Sequence, residues 1–193
     1  MPSGRTHDRI TLWGLPFVAG ISYGQTQSSN LTLILSGAFL FSGLMFGPDL
    51  DLNSVQYKRW GCLRWIWIPY QKTLRHRSLL SHGPILGTTL RLIYLAVWLG
   101  ILGILVGIVQ LVWDVGWSWQ QFFKVIERSL TQYPSQWIAF YLGLEIGAMS
   151  HSVSDWGGST YKRFKKQGRI KKRKLTKVTR RPKSAAVKSR EKR

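Results

Sequence analysis

Residues Leu92 to Trp113 (LIYLAVWLGILGILVGIVQLVW) run for 22 positions without a charge. Wound as a helix the run is roughly 33 Å long, enough to cross the hydrocarbon core of a bilayer. A second run, Leu31 to Gly47 (LTLILSGAFLFSGLMFG), has 17 residues and internal glycines, which are commoner in membrane helices than in soluble ones. It reads as a second span. Two further runs, Leu12 to Tyr23 and Trp137 to Met149, have 12 and 13 residues, short of the roughly 20 that a full crossing needs. They suit short, tilted or partly protein-buried helices. Glu145, inside the last run, would be costly facing lipid, so it is expected to point into the helix bundle. The expected fold is all-α, a membrane helical bundle of about four helices. The competing reading, four core helices of a soluble bundle, has the uncharged 22-residue run against it.

Charge divides the chain in two. The 193 residues carry 28 Lys and Arg against 8 Asp and Glu, a net charge of +20. From Lys162 to Arg193 there are 17 basic residues and a single acid, Glu191, so this segment holds +16 of the total. It has few large apolar residues and cannot bury enough surface to offset the entropy of ordering, which predicts a disordered basic tail over 162–193 behind a folded domain over 1–161. Such a tail can bind anionic lipid or, non-specifically, nucleic acid.

The same charges predict an orientation. Arg5, Arg9, the connection carrying Lys58, Arg59, Arg64, Lys72, Arg75 and Arg77, and the whole tail fall on one side of a four-helix hairpin arrangement. On the other side, Gly24 to Asn30 is uncharged, and Lys124 and Arg128 are balanced by Asp114 and Glu127. The positive-inside rule then places both termini in the cytoplasm, with the chain in a bacterial inner (cytoplasmic-type) membrane. Arg5 and Arg9 before a short apolar run could also open a secretory signal peptide, but no good small-x-small cleavage site follows.

Each of the four histidines, His7, His76, His82 and His151, stands near the end of an apolar run, and Asp49, Asp51 and Asp155 occupy corresponding places. Under the hairpin topology all of them reach the same membrane face. Imidazole and carboxylate are ligands that zinc, manganese or iron accept, whereas the lone Cys62 excludes thiolate-rich sites and a disulfide framework. His151 and Asp155 are four residues apart, so a continuous helix projects them from one face. Asp49 and Asp51 follow Pro48 in a turn or extended segment where both carboxylates can face inward; a helix stop followed by an Asx turn is the equally open alternative. On an unbroken helix His76 and His82 would lie about 120° apart, so both bind only if the helix breaks near Ser81 to Pro84.

Four short motifs in order, THDRIT (Thr6 to Thr11), PDLDLNS (Pro48 to Ser54), HRSLLSHGPILG (His76 to Gly87) and HSVSDW (His151 to Trp156), make the chain resemble the bacterial membrane-bound metal-dependent hydrolases of the YdjM-like family. The resemblance extends to that family's uncharacterised relatives known simply as metal-binding proteins. It implies a site for one or two divalent ions, zinc first, held by His7, Asp49, Asp51, His76, His82, His151 and Asp155. Through the distant similarity of that family to zinc-dependent phospholipase C and the S1/P1 nucleases, it also implies phosphoester hydrolysis.

Together these readings describe a membrane-associated metal-binding protein, a hydrolase acting on a phosphoester or lipid-like substrate at the cytoplasmic face. In it Asp51 would accept a proton and Arg77 would neutralise charge developing on the substrate. Trp60, Trp65, Trp67 and Tyr70, interleaved with Lys and Arg, would anchor the chain among lipid headgroups. The alternative is a non-enzymatic membrane protein with a structural or transported metal and a working tail. Gly-rich phosphate loops, a Ser nucleophile elbow, CxxC pairs and HExxH are all missing from the sequence.

Overall fold

Three of the four apolar runs lie within long helices, the run Leu31 to Gly47 overruns its helix after Leu44, and much of the described chain between the runs is helical too. The structure is a computed structural model that describes residues 4–74, 78–113 and 118–179. Its helices are α1 (Gly4–Thr26), α2 (Ser29–Leu44), α3 (Val55–Arg59), α4 (Ile68–Thr73), α5 (Leu79–His82), α6 (Leu86–Trp113), α7 (Trp119–Gln132) and α8 (Pro134–Thr179). Two 3₁₀ turns, Pro48–Asp51 and Gly61–Trp67, interrupt the connection after α2. The described residues contain no strand. The all-α expectation holds, and the count of about four helices is corrected to eight among the described residues, because short helices build the 50–85 connection and α7 occupies the expected loop before α8.

Local chemistry sets the boundaries. Gln27 turns the chain at φ 48°, after which the Ser28 hydroxyl accepts the Leu31 N–H at 3.4 Å and caps α2. Pro48 opens the first 3₁₀ turn, where its missing N–H costs nothing. Ser54 and Ser118 cap α3 and α7 in the same way as Ser28. The carbonyls left over at the end of α2 are satisfied by the connection that follows it. Gln56 Nε2 donates to Gly43 O at 2.9 Å, Arg59 Nη1 to Leu44 O at 2.8 Å, and Trp60 Nε1 to Met45 O at 2.9 Å.

The chain divides into two compact units, Pro2–Ser154 and Asp155–Arg193 together with Met1. In the first unit α8 packs against α2 through glycine. A Cβ added at Gly147 would lie 2.6 Å from Phe39 O and 2.7 Å from Ser42 Cβ, and Gly143 faces Leu35 O just as closely. Ser42 Oγ donates to Leu144 O at 2.6 Å across the same contact. Thr11 of α1 fills the space beside Gly43 on α2. Small residues that bring helix backbones together in this way are the packing device of membrane bundles.

Beside this contact, Phe46, Leu50, Trp67, Tyr70 and Leu144 form the buried core. The Trp67 ring meets Phe46, Trp60 and Tyr70 edge-on at centroid separations of 5.9, 5.1 and 5.5 Å. The expectation of Trp67 and Tyr70 as headgroup anchors is thereby corrected, since both are buried, whereas Trp65 is 52% exposed. Two segments, Ser29–Asp51 and Leu86–Gln110, are long and apolar enough to cross a membrane by length and composition. Between Leu92 and Gln110, α6 has no buried residue.

The second unit's described part is the C-terminal stretch of α8. The described helix runs through Lys162 to Thr179. Lys and Arg are good helix formers, and a helix already nucleated propagates without a new nucleation cost. Residues 180–193 lie outside the described residues.

Gly147→Ala is expected to destabilise the protein by about 1–3 kcal/mol, because the new methyl meets the α2 backbone. Gly20→Ala in α1, whose Cβ would meet nothing within 4 Å, is expected to be neutral or stabilising by up to about 1 kcal/mol. Thermal unfolding of both variants in mild detergent checks the contrast, and equal effects would contradict the close α2–α8 contact.

Candidate metal centre

Four segments of the first unit bring imidazole and carboxylate together. His7 comes from the first turns of α1, Asp49 and Asp51 from the 3₁₀ turn, His82 from the last residue of α5, and His151 from α8. Pro48 starts the turn that directs Asp49 towards the histidines and buries Asp51 behind them. His151 Nε2 lies 3.2 Å from Asp49 Oδ2, and His82 Nε2 lies 4.0 Å from Asp49 Oδ1. The rings of His7 and His151 stack with centroids 3.8 Å apart. His7 and His151 are each at most 5% exposed, so the stacked rings are enclosed by protein.

Two serines define which ring nitrogens can bind a metal. Ser81 has one proton, and its Oγ donates it to Asp51 Oδ2 at 2.6 Å. At the contact of 2.6 Å with His82 Nδ1 the hydroxyl must then accept, which puts the imidazole proton on Nδ1 and leaves a lone pair on Nε2. Ser154 repeats the arrangement. Its Oγ donates to His151 O at 2.8 Å, so it accepts from His7 Nδ1 at 2.7 Å, which makes Nε2 the acceptor nitrogen of that ring. Fixing the tautomer and ring orientation from behind is how metal-binding histidines are commonly supported.

The donors fit a divalent ion of the zinc type: neutral imidazole nitrogens and a carboxylate, without thiolate. Asp49 Oδ1 is buried and makes no hydrogen bond among the described residues, and an ion between it and the histidines would satisfy it. The ligand atoms of Asp49 and His82, and those of His7 and His151, lie within 4.8 Å of each other.

Of the residues expected from the sequence, His7, Asp49, His82 and His151 come together here. Asp51 is closed to solvent and held by Ser81. The helix does break after His82, at Gly83 and Pro84, the condition set for His76 and His82 to bind together. Asp155 begins the second unit and stands one helical turn beyond His151 on α8. His76 and Arg77 lie outside the described residues. Glu145 is 7% exposed and points inward as expected, its Oε1 accepting the Ile85 N–H at 2.9 Å. Ser81 and Ser154 were not legible as functional residues, although each stands within three positions of a histidine in the sequence.

A family model described as "Uncharacterized metal-binding protein" (DUF2227) matches residues 2–165. The chain belongs to that family. The match takes in all four motifs and every donor of the site, so metal binding is the property that family and geometry share. An "Uncharacterized protein" from Aquifex aeolicus (strain VF5) is 40% identical over 58 residues, which is 30% of this chain and 40% of that relative. The chain thus matches less than half of the relative's length. No solved structure matches it significantly.

Loss of ligands and loss of their supports should be separable. His151→Ala and His82→Ala are expected to abolish stoichiometric metal, whereas Ser81→Ala and Ser154→Ala should weaken binding by roughly 10–100-fold through loose rings and mixed tautomers. Elemental mass spectrometry and competitive chelator titration check this. Unchanged metal affinity in both serine variants would remove the tautomer argument.

Proposed function

We propose that the chain is a membrane-embedded, metal-dependent hydrolase of phosphoesters, with its site at the cytoplasmic face. The observation that carries this is the convergence of His7, His82, His151 and Asp49, with two of the histidines set by serines to present Nε2. A bound divalent ion, zinc being the first choice, would supply Lewis acidity and an acidified water. The protein's own groups do the positioning. Ser81 and Ser154 hold His82 and His7, and Asp51 anchors Ser81.

Proton transfer at the substrate falls to a group other than Asp51, whose side chain is fully buried and already engaged. The exposed apolar surface of α6 and the two segments of spanning length support the membrane reading. The basic residues of the connection and of α8 support the orientation through the positive-inside rule. A lipid or other anionic phosphoester would reach such a site along the membrane surface.

A second reading is favoured by one observation, the density of Lys and Arg in α8 from Lys162 onward and in the residues after it. There the metal is structural or transported, and the basic segment binds anionic lipid or nucleic acid with strong salt dependence.

Zinc-loaded protein in mild detergent is expected to hydrolyse phosphoester substrates, and Asp49→Asn should lower the rate at least about tenfold by weakening the metal site. The check is a panel of phosphomonoesters, phosphodiesters and phospholipids assayed with and without chelator. Stoichiometric metal with no turnover across the panel would defeat the hydrolase reading and leave the second one. Extraction by alkaline carbonate would defeat the membrane assignment.

A further inference from the structure

No residue of α7 is buried, although its sequence, WQQFFKVIERSLTQ, is rich in large apolar side chains. Trp119, Phe122, Phe123, Ile126 and Leu130 recur at steps of three and four, so they form one stripe along the helix, with Val125 at its edge. Lys124, Glu127, Arg128 and Thr131 stand on the other side. An apolar stripe on a helix ordinarily faces a core. Here Phe122, Phe123, Ile126 and Leu130 are all exposed, Phe123 to 62%, and continuous apolar surface of this kind marks a contact with something outside the chain.

The level of α7 in the first unit identifies that contact. It joins the end of α6 to the start of α8, whereas α6 begins just after His82 and α8 carries His151 further along. At about 1.5 Å per residue, Leu86 to Gly107 covers about 32 Å and Pro134 to His151 about 26 Å, which brackets the thickness of a hydrocarbon core. Along both helices α7 stands one bilayer core away from the metal donors.

Trp119 fixes the level more closely. Its indole lies over Gly103 and Gly107 of α6, 3.5 and 3.6 Å from where a Cβ on each would stand. The apolar segment of spanning length ends at Gln110, so these glycines lie about 10 and 5 Å inside its end. An interfacial helix buries its apolar face to the same depth, about 5–10 Å. Ile104 and Ile108, next to the two glycines, are exposed as well, so the stripe of α7 is continuous with the α6 surface assigned to lipid above.

Aromatic rings mark both ends of the helix. At its start Trp119 packs with Phe122 and Phe123 at centroid separations of 6.0 and 6.3 Å. Tyr133 caps its end, and Trp137 Nε1 donates to Ser129 Oγ at 3.3 Å. Trp and Tyr concentrate at membrane–water boundaries, where one side of the ring is apolar and the other wet.

We propose that α7 is an interfacial helix lying in the lipid surface on the bilayer face away from the metal centre. The stripe of Phe122, Phe123, Ile126 and Leu130 sits in the boundary between headgroups and acyl chains, and the face with Lys124, Glu127 and Arg128 is in water. The inference rests on the membrane reading and names the partner of a segment to which that reading gives no role. Seated there, α7 pins the ends of α6 and α8 at one depth and so sets the level of the metal centre at their far ends.

Spin labels on single cysteines, in full-length protein carrying Cys62→Ser and held in phosphatidylcholine nanodiscs, test this by electron paramagnetic resonance. Oxygen partitions into lipid and a nickel chelate into water, so collision rates report which of them each label meets. Phe123→Cys, Ile126→Cys and Leu130→Cys are expected to favour oxygen at a depth of about 5–10 Å, and Lys124→Cys, Glu127→Cys and Thr131→Cys to favour the nickel chelate. Leu99→Cys, on the exposed surface of α6, reports on the membrane reading itself. Nickel chelate reaching both faces of α7 alike would put the helix in water and overturn the proposal. A stripe closed to both reagents would overturn it too, by making a second copy or another part of the chain its cover. With Leu99→Cys still meeting oxygen, either result leaves the membrane reading standing; nickel collisions at Leu99→Cys defeat that reading and the α7 proposal together.

The face of the bilayer is read separately. Cys62 is exposed, in the connection that follows Asp49. A membrane-impermeant maleimide added to intact cells should therefore label either wild type or the Cys62→Ser, Glu127→Cys variant, and not both. Labelling of both in intact cells, or of both only after permeabilisation, would put α7 on the same face as that connection and overturn the proposal.

Discussion

The approach of α8 to α2 is the constraint on which the rest of the first unit depends. Gly143 and Gly147 let the helix backbones meet, and the Ser42 hydroxyl bonds across the seam to the Leu144 carbonyl. Just beyond this contact α2 gives way to the 3₁₀ turn bearing Asp49, and α8 reaches His151 one turn after Gly147. The turn after α2 and helix α8, far apart in sequence, thereby bring the Asp49 carboxylate and the His151 imidazole to 3.2 Å. A wider seam would carry His151 away from Asp49, because a helix transmits a displacement along its whole length.

Buried charge is the second theme. Asp51, Arg91 and Glu145 are each nearly or wholly closed to solvent, and His7 and His151 are buried beside them. Such groups cost stability unless paired or hydrogen-bonded. Here they share partners economically: one serine hydroxyl serves both Asp51 and His82, while that serine's carbonyl serves Arg91. Ser81 is thus common to the metal donors and to the buried guanidinium of Arg91.

Much of this was legible in the sequence, and the reasons are physical. A 22-residue run without charge can be little other than a long exposed or spanning helix, and α6 is that helix. Histidines and aspartates at the ends of apolar runs predicted their own meeting, because hairpin helices return their ends to the same place. Glu145 inside an apolar run could only point inward. Less visible were the short helices of the 50–85 connection, whose apolar residues have no clear period because aromatic packing shapes them. The burial of Trp67 and Tyr70 was hidden for the same reason, since an aromatic next to a basic residue looks the same at a lipid surface and at the rim of a core. The supporting roles of Ser81 and Ser154 depend on the direction of a single proton, which spacing does not encode.

Ile85 has a consequence for how this region can vary. Glycine would occupy its left-handed backbone, φ 65°, without strain, yet the chain places an isoleucine there, with Gly83 only two residues away. The fold therefore spends stability to keep a bulky, stiff residue at the hinge between α5 and α6. A residue so confined samples few backbone conformations, so the turn that brings the Ile85 N–H to Glu145 Oε1 is held by the restriction of its own backbone as well as by that bond.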